Sequence, residues 1–133
     1  MKHSFFAPLV ALATMAVAAP ALAHHSFAAE FDADKPVTVK GVITSVRLEN
    51  PHSWFFLDVT GADGKVEKWA FEASTPSSLI RSGFKPGTVK AGDEVTIKGY
   101  HARDAASNAG AGRELQTADG RAYAIGPTVG PQR

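Results

Sequence analysis

Residues 41–59 read GVITSVRLENPHSWFFLDV, and how this stretch folds decides how the rest of the chain is arranged. Val42 to Leu48 and Ser53 to Val59 are two runs of strand-forming residues that meet at Asn50-Pro51-His52. Proline donates nothing to a strand ladder, so the chain turns at Pro51 and leaves a histidine on the corner. Trp54, Phe55 and Phe56 follow at once, and each side chain of this kind contributes about 1.5 to 3 kcal/mol when fully buried. The stretch is therefore expected to nucleate the core.

Working outward, Val37, Val39 and Ile43 share one parity while Val46 and Leu48 take the other, with Gly41 between them. A long strand that bends or bulges and serves two sheet surfaces has this pattern, and long first strands suit small barrels. Upstream, Asp32-Ala33-Asp34-Lys35-Pro36 is turn chemistry, which starts strand one at Val37. Strand two is Ser53 to Thr60, and Gly61-Ala62-Asp63-Gly64 turns the chain into strand three, Val66 to Ala73, where Trp69 and Phe71 are expected to face the core. The period then changes. Thr75 caps a two-turn helix with Pro76 at its first position, Leu79-Ile80 as its apolar side and Gly83 at its stop. Strand four is Glu94 to Tyr100. His101 to Gly112, made of small and polar residues, reads as a mobile loop, and strand five is Glu114 to Thr117, with a further hairpin through Asp119-Gly120 to Tyr123-Ile125.

The expected fold is all-β: a small β-barrel, OB-fold-like, with five to six antiparallel strands and one short helix between strands three and four. A different small antiparallel barrel or sandwich is the alternative. Residues 24–36 form an N-terminal arm, 37–125 the domain and 126–133 a disordered tail. Phe27 and Phe31, four apart, fit either a single helical turn or an extended segment with two aromatic anchors.

Residues 1–23 read as a signal peptide. Lys2 and His3 supply a positive start, Phe5 to Ala19 is apolar and uncharged, and Ala21-Leu22-Ala23 has the form of a cleavage site. The apolar run is shorter than the roughly 20 residues of a spanning helix, so secretion or a periplasmic location is expected, without a membrane span. The chain from His24 to Arg133 carries 13 Lys and Arg against 13 Asp and Glu, interspersed, which disfavours nucleic acid as a partner. The absence of cysteine excludes disulfides, thiolate metal sites and cysteine nucleophiles.

His24-His25-Ser26-Phe27, Phe31-Asp32 followed by Lys35-Pro36, Asn50-Pro51-His52 and Gly92-Asp93 together resemble a family of small secreted Gram-negative bacterial proteins known only as a domain of unknown function. The resemblance implies an exported domain. It brings no activity, substrate or catalytic residue with it.

Chemistry rests on four histidines, His24, His25, His52 and His101. Cleavage after Ala23 makes His24 the first residue, and its amine and imidazole then chelate one metal ion as a histidine brace. An α-amine with an ordinary pKa of about 8 gives up its proton near neutrality far more readily than lysine. His25 offers a competing planar mode through the amine, an amide nitrogen and its own imidazole. Both modes favour Cu(II), which heads the divalent affinity order. In an OB-like barrel His52, between strands one and two, and His101, opening the connection between strands four and five, flank one binding face. The bland readings are a solvated His-His tail, a turn histidine at 52 and an exposed loop histidine at 101.

Trp54 and Tyr100 are candidates for a ligand face on the barrel, with core packing the plainer role for Trp54. Asp58, Glu67 and Glu72 form no evident catalytic pair, Ser26 lacks a nucleophile setting, and the glycines of Asn108 to Arg113 cradle no phosphate. The leading expectation is a non-enzymatic exported domain that binds a divalent metal, preferably copper. The alternative is an interaction module for an envelope protein, peptide or glycan, and redox chemistry at a copper brace comes third.

Overall fold

The computed structural model describes residues 27–126. The signal segment 1–23, His24, His25 and residues 127–133 of the expected tail lie outside the described residues. In chain order the elements are α1 (Phe27–Glu30), β1 (Phe31–Arg47), β2 (Ser53–Thr60), β3 (Val66–Ala73), α2 (Pro76–Arg81), β4 (Glu94–Ala102), β5 (Ala109–Thr117) and β6 (Ala122–Ala124). Neighbouring strands run β3-β2-β1-β4-β5-β6, and β3 also pairs with β5, so five strands close into a ring to which β6 adds an outer edge. All pairs are antiparallel as expected except the closing one: β3 and β5 run parallel.

The reading of residues 41–59 holds where it concerns the backbone. Both strands of the turn at Gly61-Gly64 have their expected bounds, with Gly64 at φ 79°. The parity switch along β1 is a bulge between Ile43 and Ser45. This extra residue brings Ile43 to the interior on one side and turns Val46 inward on the other. The Asn50-Pro51 bond at the corner is cis.

Two expectations are corrected and one open alternative is decided. First, β1 begins at Phe31, not Val37. Phe31 pairs with Ala102 and is buried, and the chain then makes a wide excursion before Pro36 pairs with Tyr100. The turn chemistry is real, since Asp32 accepts a hydrogen bond from the Asp34 amide at 3.0 Å, but it sits inside a strand rather than before one. Second, α1 is the helical alternative for Phe27 and Phe31, whose rings lie 5.4 Å apart, so the described part of the arm is docked rather than free. Third, half of the expected loop 101–112 is strand, and only residues 103–108 lie between β4 and β5. His101 belongs to β4, Gly110 to Gly112 pair with β4, and Ala109 to Ala111 pair with β3 on the other side. Small residues there permit close approach: a Cβ on Gly110 stands 2.9 Å from the Phe71 ring, and one on Gly112 stands 2.7 Å from Ile125.

The core fills the ring with Phe55, Leu57, Phe71, Val95, Ile97 and Leu115. α2 and the segment after it close one end. The Thr75 side chain accepts from the Ser78 amide as an N-cap, Leu79 is buried, and Phe84 meets Phe55 edge-on at 5.3 Å. Ile80 was expected beside Leu79 on the apolar side, yet it is exposed, because consecutive helical residues point about 100° apart. The Ile125 carbonyl accepts from the Ser74 amide at 2.8 Å, which ties the far end of the chain to the end of β3.

Candidate functional site

The register places one row of outward residues across four strands. Trp54 on β2 pairs with Glu72 on β3, Glu72 with Ala111 on β5, and Ala111 with Tyr100 on β4. These positions alternate with Phe55 and Phe71, whose side chains fill the interior, so they lie on the outer face. α1 sits on the Tyr100 end of this row. The Phe27 ring meets Tyr100 edge-on at 5.9 Å, and the Arg113 guanidinium lies 5.0 Å from the centre of Phe27 and 5.4 Å from that of Tyr100. Arg103 holds the segment from below, its amide donating to the Glu30 carbonyl at 2.9 Å and its Nε to the Ala28 carbonyl.

At the other end of the row stands the corner histidine. His52 Nδ1 is 2.8 Å from Glu72 Oε1, with the His52 side chain 49% exposed and that of Glu72 only 15%. Burial raises the Glu72 carboxyl above its ordinary range. His52 works against that shift, and the charge of Glu30 on α1 adds to it. Burial therefore outweighs the attraction of the histidine even though the two are in hydrogen-bond contact. With Nδ1–H donating to the carboxylate, the neutral ring keeps its lone pair on Nε2. A carboxylate that orients a histidine in this way is the usual outer partner of a metal-bound imidazole.

His101 does not join it. Its parity is that of Val95 and Ile97, so it faces the ring interior, where its ring meets Trp69 edge-on at 5.6 Å and Nδ1 lies 2.7 Å from the Ala102 carbonyl. The two histidines expected to flank one face thus stand on opposite faces of the sheet. Among the described residues no three His, Asp, Glu or Cys side chains group tightly enough to hold a metal ion. His24 and His25 lie outside the described residues.

Trp54 is not a core residue. It is half-exposed and stacks on Phe56, with centroids 6.4 Å apart and planes 22° from parallel, while the Arg47 guanidinium covers Phe56 at 5.0 Å. Tyr100 lies on the same outer row, but Phe27 and Arg113 cover it, so the expected pair of open platforms reduces to Trp54 with Phe56.

Glu72 is the residue the sequence reading passed over as one of several scattered carboxylates. The signal was present. Counting back along both strands from the Gly61-Gly64 turn pairs Trp54 with Glu72 and brings His52 diagonally beside it. Arg113 had no such signal, because it sits in a register shift between β4 and β5.

The molecule is thus a small, mostly antiparallel β-domain carrying a carboxylate-oriented histidine on its outer face. The model of the family described as "Family of unknown function (DUF6152)" matches residues 11–111, and the chain belongs to that family. No curated protein matches the chain. Among the described residues no helix is long and apolar enough to cross a membrane.

Proposed function

We propose that the protein is a non-enzymatic domain, exported and cut after Ala23, that binds Cu(II) through the amine and imidazole of His24, with His25 or His52 completing the nitrogen set. The observation that carries this reading is the His52–Glu72 contact at 2.8 Å on a half-exposed ring. It fixes the imidazole and leaves Nε2 as the ligand atom. The docking of α1 adds support. His24 precedes Phe27 by three residues, a span of at most about 11 Å, and Glu30 at the end of α1 is close enough for its charge to act on Glu72. His101, engaged with Trp69 and its neighbour's carbonyl, has no part in it. The ring order and the helix between β3 and β4 support the oligonucleotide/oligosaccharide-binding barrel reading.

The test is the Cu(II) electron paramagnetic resonance spectrum of protein purified from the periplasm, after mass spectrometry has established its first residue. A stoichiometric tetragonal signal with more than one imidazole nitrogen, changed by His52→Ala and untouched by His101→Ala, is the expected result. A weak signal equal to that of a free His-His peptide and indifferent to His52 sinks the reading.

One observation favours a second reading, a glycan-binding face. Trp54 and Phe56 present near-parallel rings on the outer side of β2 with Arg47 beside them, and sugar rings stack on such surfaces. Glycan-array binding that disappears in Trp54→Ala supports it, whereas an array without signal removes it.

A further inference from the structure

An open cleft of about 550 Å³ lies between the corner at Pro51, α2 and the end of β6. Its walls include Ser74, Thr75, Ser78, Ser82, Arg81 and His52. Two features set its chemistry. Among the described residues that line it Arg81 alone carries a permanent charge, and no carboxylate is present. Four hydroxyl-bearing residues line the cleft along with that guanidinium, a lining suited to a ligand with several oxygen atoms and a negative charge.

The guanidinium is already placed. Arg81 Nη2 donates to Ser78 Oγ at 3.0 Å, and Ser78 is in turn held by Thr75, whose Oγ1 lies 3.2 Å from Ser78 Oγ and accepts from the Ser78 amide. One of the five guanidinium N–H groups is thus used for positioning, and Arg81 remains exposed to incoming ligand. Ser82 Oγ lies 2.8 Å from the Leu79 carbonyl and 2.7 Å from the Ala124 carbonyl, so the α2 wall and the β6 wall are fastened together. This side of the cleft is preformed, which lowers the ordering cost of binding.

We infer that this cleft is a binding site for a small oxyanion, the carboxylate or phosphate of a hydroxyl-rich metabolite, with Arg81 as its anchor. Arginine meets both groups with paired, charge-assisted hydrogen bonds, and the Ser78 hydroxyl, which accepts from Arg81 and Thr75, keeps its own proton for a further ligand oxygen. The inference stands apart from the copper reading, since Arg81 takes no part in that ligand set and His52 is not required here.

The experiment is a nuclear magnetic resonance titration of the protein as the cell leaves it, with inorganic phosphate, gluconate and glucose as separate probes. Saturable shifts of the Ser78, Arg81 and Ser82 amides are expected with one or both anions and not with glucose. Phosphate alone points to a phosphorylated ligand, and gluconate alone to a sugar acid. Arg81→Gln should weaken binding at least about tenfold, with Arg81→Lys retaining part of it and Lys98→Gln none of the loss. Because Arg81 is exposed, an unchanged core spectrum at Phe55 and Phe84 checks that each variant is folded. No saturable shift with either anion, equal response to glucose, or indifference to Arg81→Gln overturns the inference.

Discussion

On β2, Ser53, Phe55 and Leu57 are sealed inside the ring, whereas Trp54 and Phe56, each one residue away, stay half-exposed and lean on each other. The same run of aromatic mass therefore serves two purposes. The inner side gains its energy from area removed from water and from contact on every side, as between Phe55 and Phe84. The outer side gains only stacking and a guanidinium, and it keeps surface available for a partner. His52, Glu72 and Tyr100 belong to that outer side, so stability and chemistry are divided by the pleat of the sheet.

The comparison is broken most directly at Phe55. Phe55→Ala should cost about 3 to 5 kcal/mol, read as a lowered midpoint in urea unfolding followed by tryptophan fluorescence. A second large effect is expected where β4 and β5 touch. A Cβ added at Gly99 would overlap the Ala111 carbonyl oxygen, so Gly99→Ala forces the two strands apart and should cost about 1 to 3 kcal/mol in the same assay. Trp54→Ala sharpens the contrast, with an expected loss of about 0.5 to 1.5 kcal/mol, measured by circular dichroism melting. A loss as large as that of Phe55→Ala would show that the outer face also carries the fold.

The smallest effect concerns pH. The Lys90 backbone amide, and then the Lys90 ammonium, hold the Asp93 carboxyl below its usual range. A lowered folded pKa adds stability above the unfolded value and loses it as pH falls through the folded one. Asp93→Asn should therefore lower stability slightly at about pH 7, and the difference should shrink as pH falls below the ordinary carboxylate range, with denaturant midpoints across that range as the check.

Local rules made much of this architecture legible. The Gly61-Gly64 hairpin, the Thr75-Pro76 helix start and the bulging first strand each follow from residues within a few positions of one another. The candidate site was half legible: His52 stood out at its corner, but its partner Glu72 had to be found by register, and His101 was misplaced because its strand runs two residues further than its composition suggests. The segment Ala109 to Gly112 failed as a strand prediction for a related reason. Its residues carry no large apolar side chain, and its membership of the ring comes from backbone pairing with two neighbours distant in sequence.

The sequence by itself determined the bounds of β2 and β3, the turn between them, and that no cysteine thiolate is available as a metal ligand. Only the tertiary structure decided that His52 meets Glu72, that His101 faces inward to Trp69, that Phe27 covers Tyr100, and that Arg81 stands in a cleft with no carboxylate among its described lining residues. The division has one physical reason. Turns and pleats are set by backbone sterics among adjacent residues, whereas each of these contacts depends on ring closure and on the parity it imposes across strands far apart in the chain.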